Sequence, residues 1–139
     1  MATITQIRDG LAVRLATITG LHPYAVHPAS VIVPAAIVRA VGEDYHQAMG
    51  GNGGHSVVRC EVKIVVSVAA GWDLASVALD PYLSRTGTDS IRAAIEADKT
   101  LGGIVDTLTV QGWQDYDDDV INDETFLIAT VLVEVFNNV

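Results

Sequence analysis

Between Ile4 and Ile18 the apolar residues recur at steps of three and four. Ile4, Ile7, Leu11, Leu15 and Ile18 share one face, while Gln6, Arg8, Asp9 and Arg14 fall elsewhere. That period predicts an amphipathic helix, capped at its start by Thr3 or Thr5 and stopped near Gly20. Gly10 lies inside it and costs up to about 1 kcal/mol relative to Ala, so it either permits a close approach or is tolerated. The period then changes to two. A short extended piece around Tyr24–Val26 is bounded by Pro23 and Pro28, and another, Ala35 to Val41, follows Pro34. Prolines at such margins suit edge strands, because they cannot donate to a ladder.

From His55 to Ala70 the alternation is clearest. Val58, Cys60, Val62, Ile64, Val66 and Val68 occupy one parity, and Arg59, Glu61 and Lys63 stand at the centre of the other. A strand with one apolar face and one charged face is predicted. Two helices follow, Trp72–Leu83 and Thr88–Ala97, the second with Ile91, Ala94 and Ile95 as its buried stripe and Gly87, Thr88 and Asp89 as its start signal. Pro81 predicts a kink or an end near Asp80, and Gly102-Gly103 stops the second helix. Two long strands close the chain, Ile104–Tyr116 and Glu124–Asn137, joined by an aspartate-rich turn. The last alternates apolar residues on both parities and is predicted to be central. The order α-β-β-β-α-α-β-β predicts one α+β domain over residues 1–139, a mainly antiparallel β-sheet with helices packed on one face.

Between these elements, residues 42–54 hold glycines at 42, 50, 51, 53 and 54 among polar residues and are predicted to form a mobile loop. Half of the 139 residues are hydrophobic and 18% charged, with a mean hydropathy of +0.35. Typical soluble domains carry about 25% charge. A chain so apolar is expected to expose patches that mark interfaces, which points to an oligomer. The apolar stretches Val31–Val41 and Ile64–Leu74 are interrupted and fall short of the about 20 residues that span a bilayer. The N-terminal residues lack signal-peptide features, which places synthesis in a cytoplasm. One cysteine allows no intrachain disulfide. A formal charge of −9, with eight scattered basic residues, argues against tightly held nucleic acid while leaving DNA free to pass nearby.

Candidate chemistry is thin. The run Gly50-Gly51-Asn52-Gly53-Gly54 lacks the lysine and the following helix that a phosphate cradle needs, so a flexible loop is the better reading. Asp115, Asp117 and Asp119 match the first three ligand positions of a calcium loop. The match then fails at Val120, where glycine is required, and at Phe126, where a bidentate Glu is required. An acidic, solvated turn is the plainer account. His22, His27, His46 and His55 show no metal spacing, and Cys60 lies on the apolar parity, as an inert buried thiol does. Trp72 and Trp113 are expected to be core or interface anchors. No catalytic residue, metal or cofactor is assigned.

In the second half of the chain the residues Leu79-Asp80-Pro81-Tyr82-Leu83-Ser84, Gly87, Ser90-Ile91-Arg92-Ala93-Ala94-Ile95-Glu96-Ala97-Asp98 and Leu101-Gly102-Gly103-Ile104-Val105 resemble the tail terminator (tail completion) proteins of long-tailed, non-contractile phages. Leu15-Ala16-Thr17-Ile18-Thr19-Gly20-Leu21, with the proline-flanked strand after it, is similar to the same family. Pro81 departs from the uninterrupted helix expected there. The resemblance implies a virion protein at the neck end of the tail, made in the host cytoplasm. It implies a homo-oligomer, usually a hexameric ring, that caps the tail tube protein and stops its polymerisation. The ring also offers a docking surface to the head–tail connector protein, and DNA passes through its lumen unbound. The interface candidates are Glu43, Asp44, Tyr45, His46, Gln47, Met49, Asn52 and His55 in the glycine loop, with Asp115, Asp117, Asp118, Asp119, Asp123 and Glu124 in the acidic turn. One alternative is another neck or minor tail subunit. The alternative of another class is a divalent-cation-dependent enzyme or ligand-binding domain using the Asp115–Glu124 cluster.

Overall fold

Thr3 begins the first helix by a reciprocal cap: its hydroxyl accepts from the Gln6 N–H at 3.1 Å, and the Gln6 side chain accepts from the Thr3 N–H at 2.9 Å. This satisfies two of the donors that every helix start leaves free. The helix, α1 (Ile4–Leu15), buries Ile7, Leu11 and Leu15 completely. The computed structural model describes residues 2–47 and 54–138. After α1 come β1 (His22–Tyr24), β2 (Ala35–Gln47), β3 (Gly54–Ser67), α2 (Trp72–Leu83), α3 (Ile91–Glu96), β4 (Thr107–Ile121) and β5 (Glu124–Asn138). The element order agrees with the predicted one.

The strands form one five-stranded sheet in the order β1-β2-β3-β5-β4. Among the described residues only β1 and β2 pair in parallel; the other ladders are antiparallel. The result is an α+β fold, a mostly antiparallel mixed sheet with three helices packed on it. Its main core lies between the helices and one sheet face. Val58, Cys60, Val62, Ile64 and Val66 of β3 and Leu127, Ala129, Val131, Val133 and Val135 of β5 meet Ile7, Leu11, Leu15, Leu79, Ile91 and Ile95 there. Gly10 allows the close approach that its position suggested. A Cβ added to it would stand 3.2 Å from that of Leu101, so the helix and the segment after α3 touch through a missing side chain.

A smaller core forms on part of the opposite face. Ala35, Ile37, Val65, Ile121, Phe126 and Ile128 are roofed there by Tyr24, Val31 and Val33. The roof is the connection between β1 and β2, hereafter the strap. Tyr24 accepts from the Ile32 N–H at 3.1 Å, and the Asn122 amide donates to the Ala29 carbonyl at 2.8 Å. The strap is thereby tied to β1 at one side and to the β4–β5 turn at the other.

Four expectations need correction. The loop predicted over 42–54 is strand at both margins, since β2 continues to Gln47 and β3 starts at Gly54; residues 48–53 lie outside the described residues. Cross-strand pairing of Gly42 with Arg59 through Gln47 with Gly54 overrides the glycine signal. The aspartate-rich turn is likewise strand over Asp115–Asp119, and only Asn122 and Asp123, both at positive φ, make the turn. Pro81 does not end α2, which runs on to Leu83. The carbonyl that Pro81 leaves unbonded belongs to Val77, an exposed residue, so solvent can satisfy it. Finally, α3 starts later than predicted, because Ser90 rather than Thr88 caps it by accepting from Ala93.

Candidate interaction surface

The charged parity of β3 lands on the sheet face away from the helices. Register aligns Arg39, Glu61, Leu132 and Gly112 in one row across the four long strands, and Asp44, Val57, Phe136 and Thr107 in another. Opposite charges meet along this face. Arg59 pairs with Asp44 and stands opposite Glu134, Arg39 stands opposite Glu61, and Lys63 reaches the Asp119 carboxylate at 3.4 Å. Arg59 lies over Gly42, where an added Cβ would stand 2.5 Å from the guanidinium. A side chain at this position would displace the guanidinium from the path by which it reaches Asp44. The strap covers only the end of this face nearest the β4–β5 turn.

The two groups of predicted interface residues lie at diagonally opposite corners of the sheet. Glu43, Asp44 and Tyr45 lie toward the end of β2, in line with the start of β4 across the sheet. Asp117, Asp118 and Asp119 fall at the other end of β4, in line with the start of β2. His46 pairs with His55, and Gln47 with Gly54, as strand positions; Met49 and Asn52 lie outside the described residues. Asp123 and Glu124 sit at the exposed hairpin tip. The structure therefore does not gather these residues into one site.

The calcium-loop likeness also dissolves on the strand. Asp117 and Asp119 point to one face and Asp118 to the other, and Asp115 occupies a bulge with φ of 58°. Among the described residues no three His, Cys, Asp or Glu side chains gather as a metal needs. The Asp118 N–H donates to Asp117 at 2.8 Å and holds the Asp117 carboxyl below its ordinary range. Cys60 is buried on the helix side. Burial pushes its thiol up to about 11, against a smaller opposing pull from the Arg8 charge.

Trp72 and Trp113, expected from the sequence as core or interface anchors, are both half exposed; other surface features escaped the sequence. Trp72, Leu74 and Val77 project from the outer side of α2, each half or more exposed. Leu74 and Val77 lie off the buried stripe of Ala75 and Leu79, which was the available signal. Trp113, 5.9 Å from the Tyr116 ring, is half exposed and borders a groove of about 420 Å³ with Tyr82, Arg85, Arg92 and Gln111. A second cleft, about 310 Å³, lies where β1 ends beside β2. It is lined by Arg8, Val26, His27, Ile37, Arg39 and Glu61, among others. Neither cleft is legible in the sequence, since the walls come from separate elements.

These features define a two-layer α+β domain with one half-bare sheet face and exposed apolar residues on several flanks. No protein-family model matches the chain, and a search of curated proteins returns no relative. Among the described residues no helix is long and apolar enough to cross a membrane.

Proposed function

We propose that this chain is a virion structural subunit rather than an enzyme: a ring-forming tail terminator that caps the tail tube, stops its growth and presents a docking surface to the head-side connector. The observation that carries the reading is the placement of exposed apolar side chains on opposite flanks of one sheet. Val41 and Tyr45 stand on β2, and Trp113 and Val120 stand on β4. A subunit that closes into a ring needs two different sticky flanks, because each copy must meet its neighbours through unlike surfaces. The sequence resemblance to phage tail terminators supplies the particular role.

The charge supports it too. With 17 acidic and 8 basic residues, a ring of these subunits repels phosphates and lets DNA pass without holding it. The test is to add the purified protein to polymerising tail-tube subunits. Short, capped tubes are the expected product, visible by electron microscopy. Tubes that keep growing at an unchanged rate would exclude a terminator and favour a connector or another neck subunit.

A further inference from the structure

Resting on the ring reading above, the geometry points to the specific contact between copies: the acidic outer edge of β4 in one copy seats against the free edge of β2 in the next, with the acids facing Arg8 and Arg39. The two edges are the two flanks of the four long strands. β1 stops at Tyr24, pairing with only Ala35–Ile37. From Val38 to Gln47 the outer side of β2 therefore has no strand beside it among the described residues. β4 is the last strand on the opposite side for its full 15 residues.

The charges at these edges are unlike. β4 carries Asp115, Asp117, Asp118 and Asp119 and no lysine or arginine. Beside β2, the cleft at the end of β1 is lined by three cations, Arg8, Arg39 and Lys63, and by one acid, Glu61, which stands opposite Arg39; neither arginine forms an ion pair among the described residues. The Arg8 Nε is buried with no hydrogen-bond partner there, a costly condition for a charged group. An incoming aspartate would supply the opposite charge. The acids of β2 itself, Glu43 and Asp44, lie at its far end, and Asp44 is already paired with Arg59.

This arrangement also selects the geometry of assembly. Two β4 edges brought together would set four aspartates against four, and like charges at close range are repelled. A symmetric β4–β4 dimer is thus disfavoured, and a head-to-tail contact is left. Strand direction permits it. β4 runs antiparallel to β5, β5 to β3 and β3 to β2, so β4 is antiparallel to β2. Copies set side by side with the same face outward present antiparallel edges to each other; because Asp117 shares its row with Ala35 and Arg39 shares its row with Gly112, the contact is staggered along the strands, as tilted strands in a closed barrel are. Repeated by rotation, such a contact closes into a ring.

The test uses the full chain with Arg39→Glu in one variant and Asp117→Lys with Asp118→Lys in another. These side chains are exposed except for the backbone contact at Asp117, and unchanged thermal melting confirms that each variant folds. Sedimentation, alone and on tail-tube ends, reads self-association. Each variant alone is expected to assemble at least tenfold more weakly than wild type. An equimolar mixture is expected to recover assembly, because each altered edge then meets its complement. Should Arg39→Glu misfold, Arg39→Gln replaces it, with a smaller loss expected. Variants that assemble like wild type, or a mixture that stays dissociated, would overturn this contact while leaving the ring reading intact, provided wild type caps tubes. Wild type that neither self-associates nor caps tubes would overturn both.

Discussion

Adjacent residues of the same two strands meet opposite fates on the two faces of the sheet. Toward the helices, Val62, Ile64, Val131 and Val133 are closed off by α1, α2 and α3. On the other side, Glu61, Leu132 and Glu134 keep contact with solvent, because the strap stops short of them. The side chains alternate with a period of two, so a single register assigns every residue to one environment or the other. The covered face holds the fold together. The bare one is free to carry charge pairs of little net worth to stability and to serve as a surface.

The largest effect expected from this contrast is on the covered side. Leu79 is fully buried, and Leu79→Ala is expected to destabilise the fold by about 2–5 kcal/mol. Leu132→Ala, on the half-bare face, should cost roughly 1 kcal/mol. Urea unfolding of both variants checks the pair. Equal losses would break the distinction between the faces, and would mean that something covers Leu132 in the isolated protein.

The strap is the intermediate case. Its tie from the Asn122 amide to Ala29 is exposed and spans 93 residues of sequence. Asn122→Ala is expected to cost about 1 kcal/mol, from one hydrogen bond together with the positive φ of 52°, which suits Asn better than Ala. Faster amide exchange in the strap, with the helix-side core still protected, is the accompanying sign. Uniform exchange across both cores would show that the strap and the sheet open together.

Much of this contrast was legible beforehand, and the reasons differ by element. The alternation over Val57–Val66 placed Cys60 on the buried side, and the double-parity pattern of β5 marked it as a central strand, which its place between β3 and β4 matches. Both follow from local period alone. What the chain pattern missed were matters of partnership. Gly42 reads as a breaker, yet it pairs in the ladder and makes room for Arg59. The aspartates of β4 read as a turn, yet Phe126 and Ile128 of β5 hold them in register. Arg8 on α1 and Arg39 on β2 are 31 positions apart, and only the packing of α1 against β2 sets them around one cleft. The acidic half of the proposed contact was visible in the sequence, and the basic half was not.

A smaller effect on stability, on the bare face, concerns Arg59 and Asp44. Gly42→Ala places a methyl where the guanidinium lies and should displace Arg59 from Asp44. Because both partners are about half exposed, the loss is expected to be roughly 0.2–1 kcal/mol, and to vanish in a Gly42→Ala, Arg59→Ala background apart from the change in strand propensity. A loss of 3 kcal/mol or more would mean that the pair is far less hydrated than its exposure indicates.

The smallest effect at neutral pH is chemical, and it sharpens the comparison residue by residue. Cys60 faces the helices and its thiol is pushed up to about 11 by burial, so the native protein should react negligibly with iodoacetamide at pH 7.5, where the thiolate is the reacting species. Thr109 is exposed on the opposite face, across from Glu134. A Thr109→Cys variant should alkylate at close to the rate of a free thiol while Cys60 stays silent, and mass spectrometry separates the two sites. The linkage gives a second reading. A thiol whose folded pKa lies above its unfolded value of about 8.5 leaves stability unaffected below that value. Stability then falls as pH rises from there towards about 11, because the unfolded chain releases its proton first. Cys60→Ala should abolish that part of the alkaline decline. Persistence of the full decline in Cys60→Ala would assign it instead to Tyr82 and Tyr116, both shifted upward chiefly by burial, and would remove Cys60 as a reporter of the covered face.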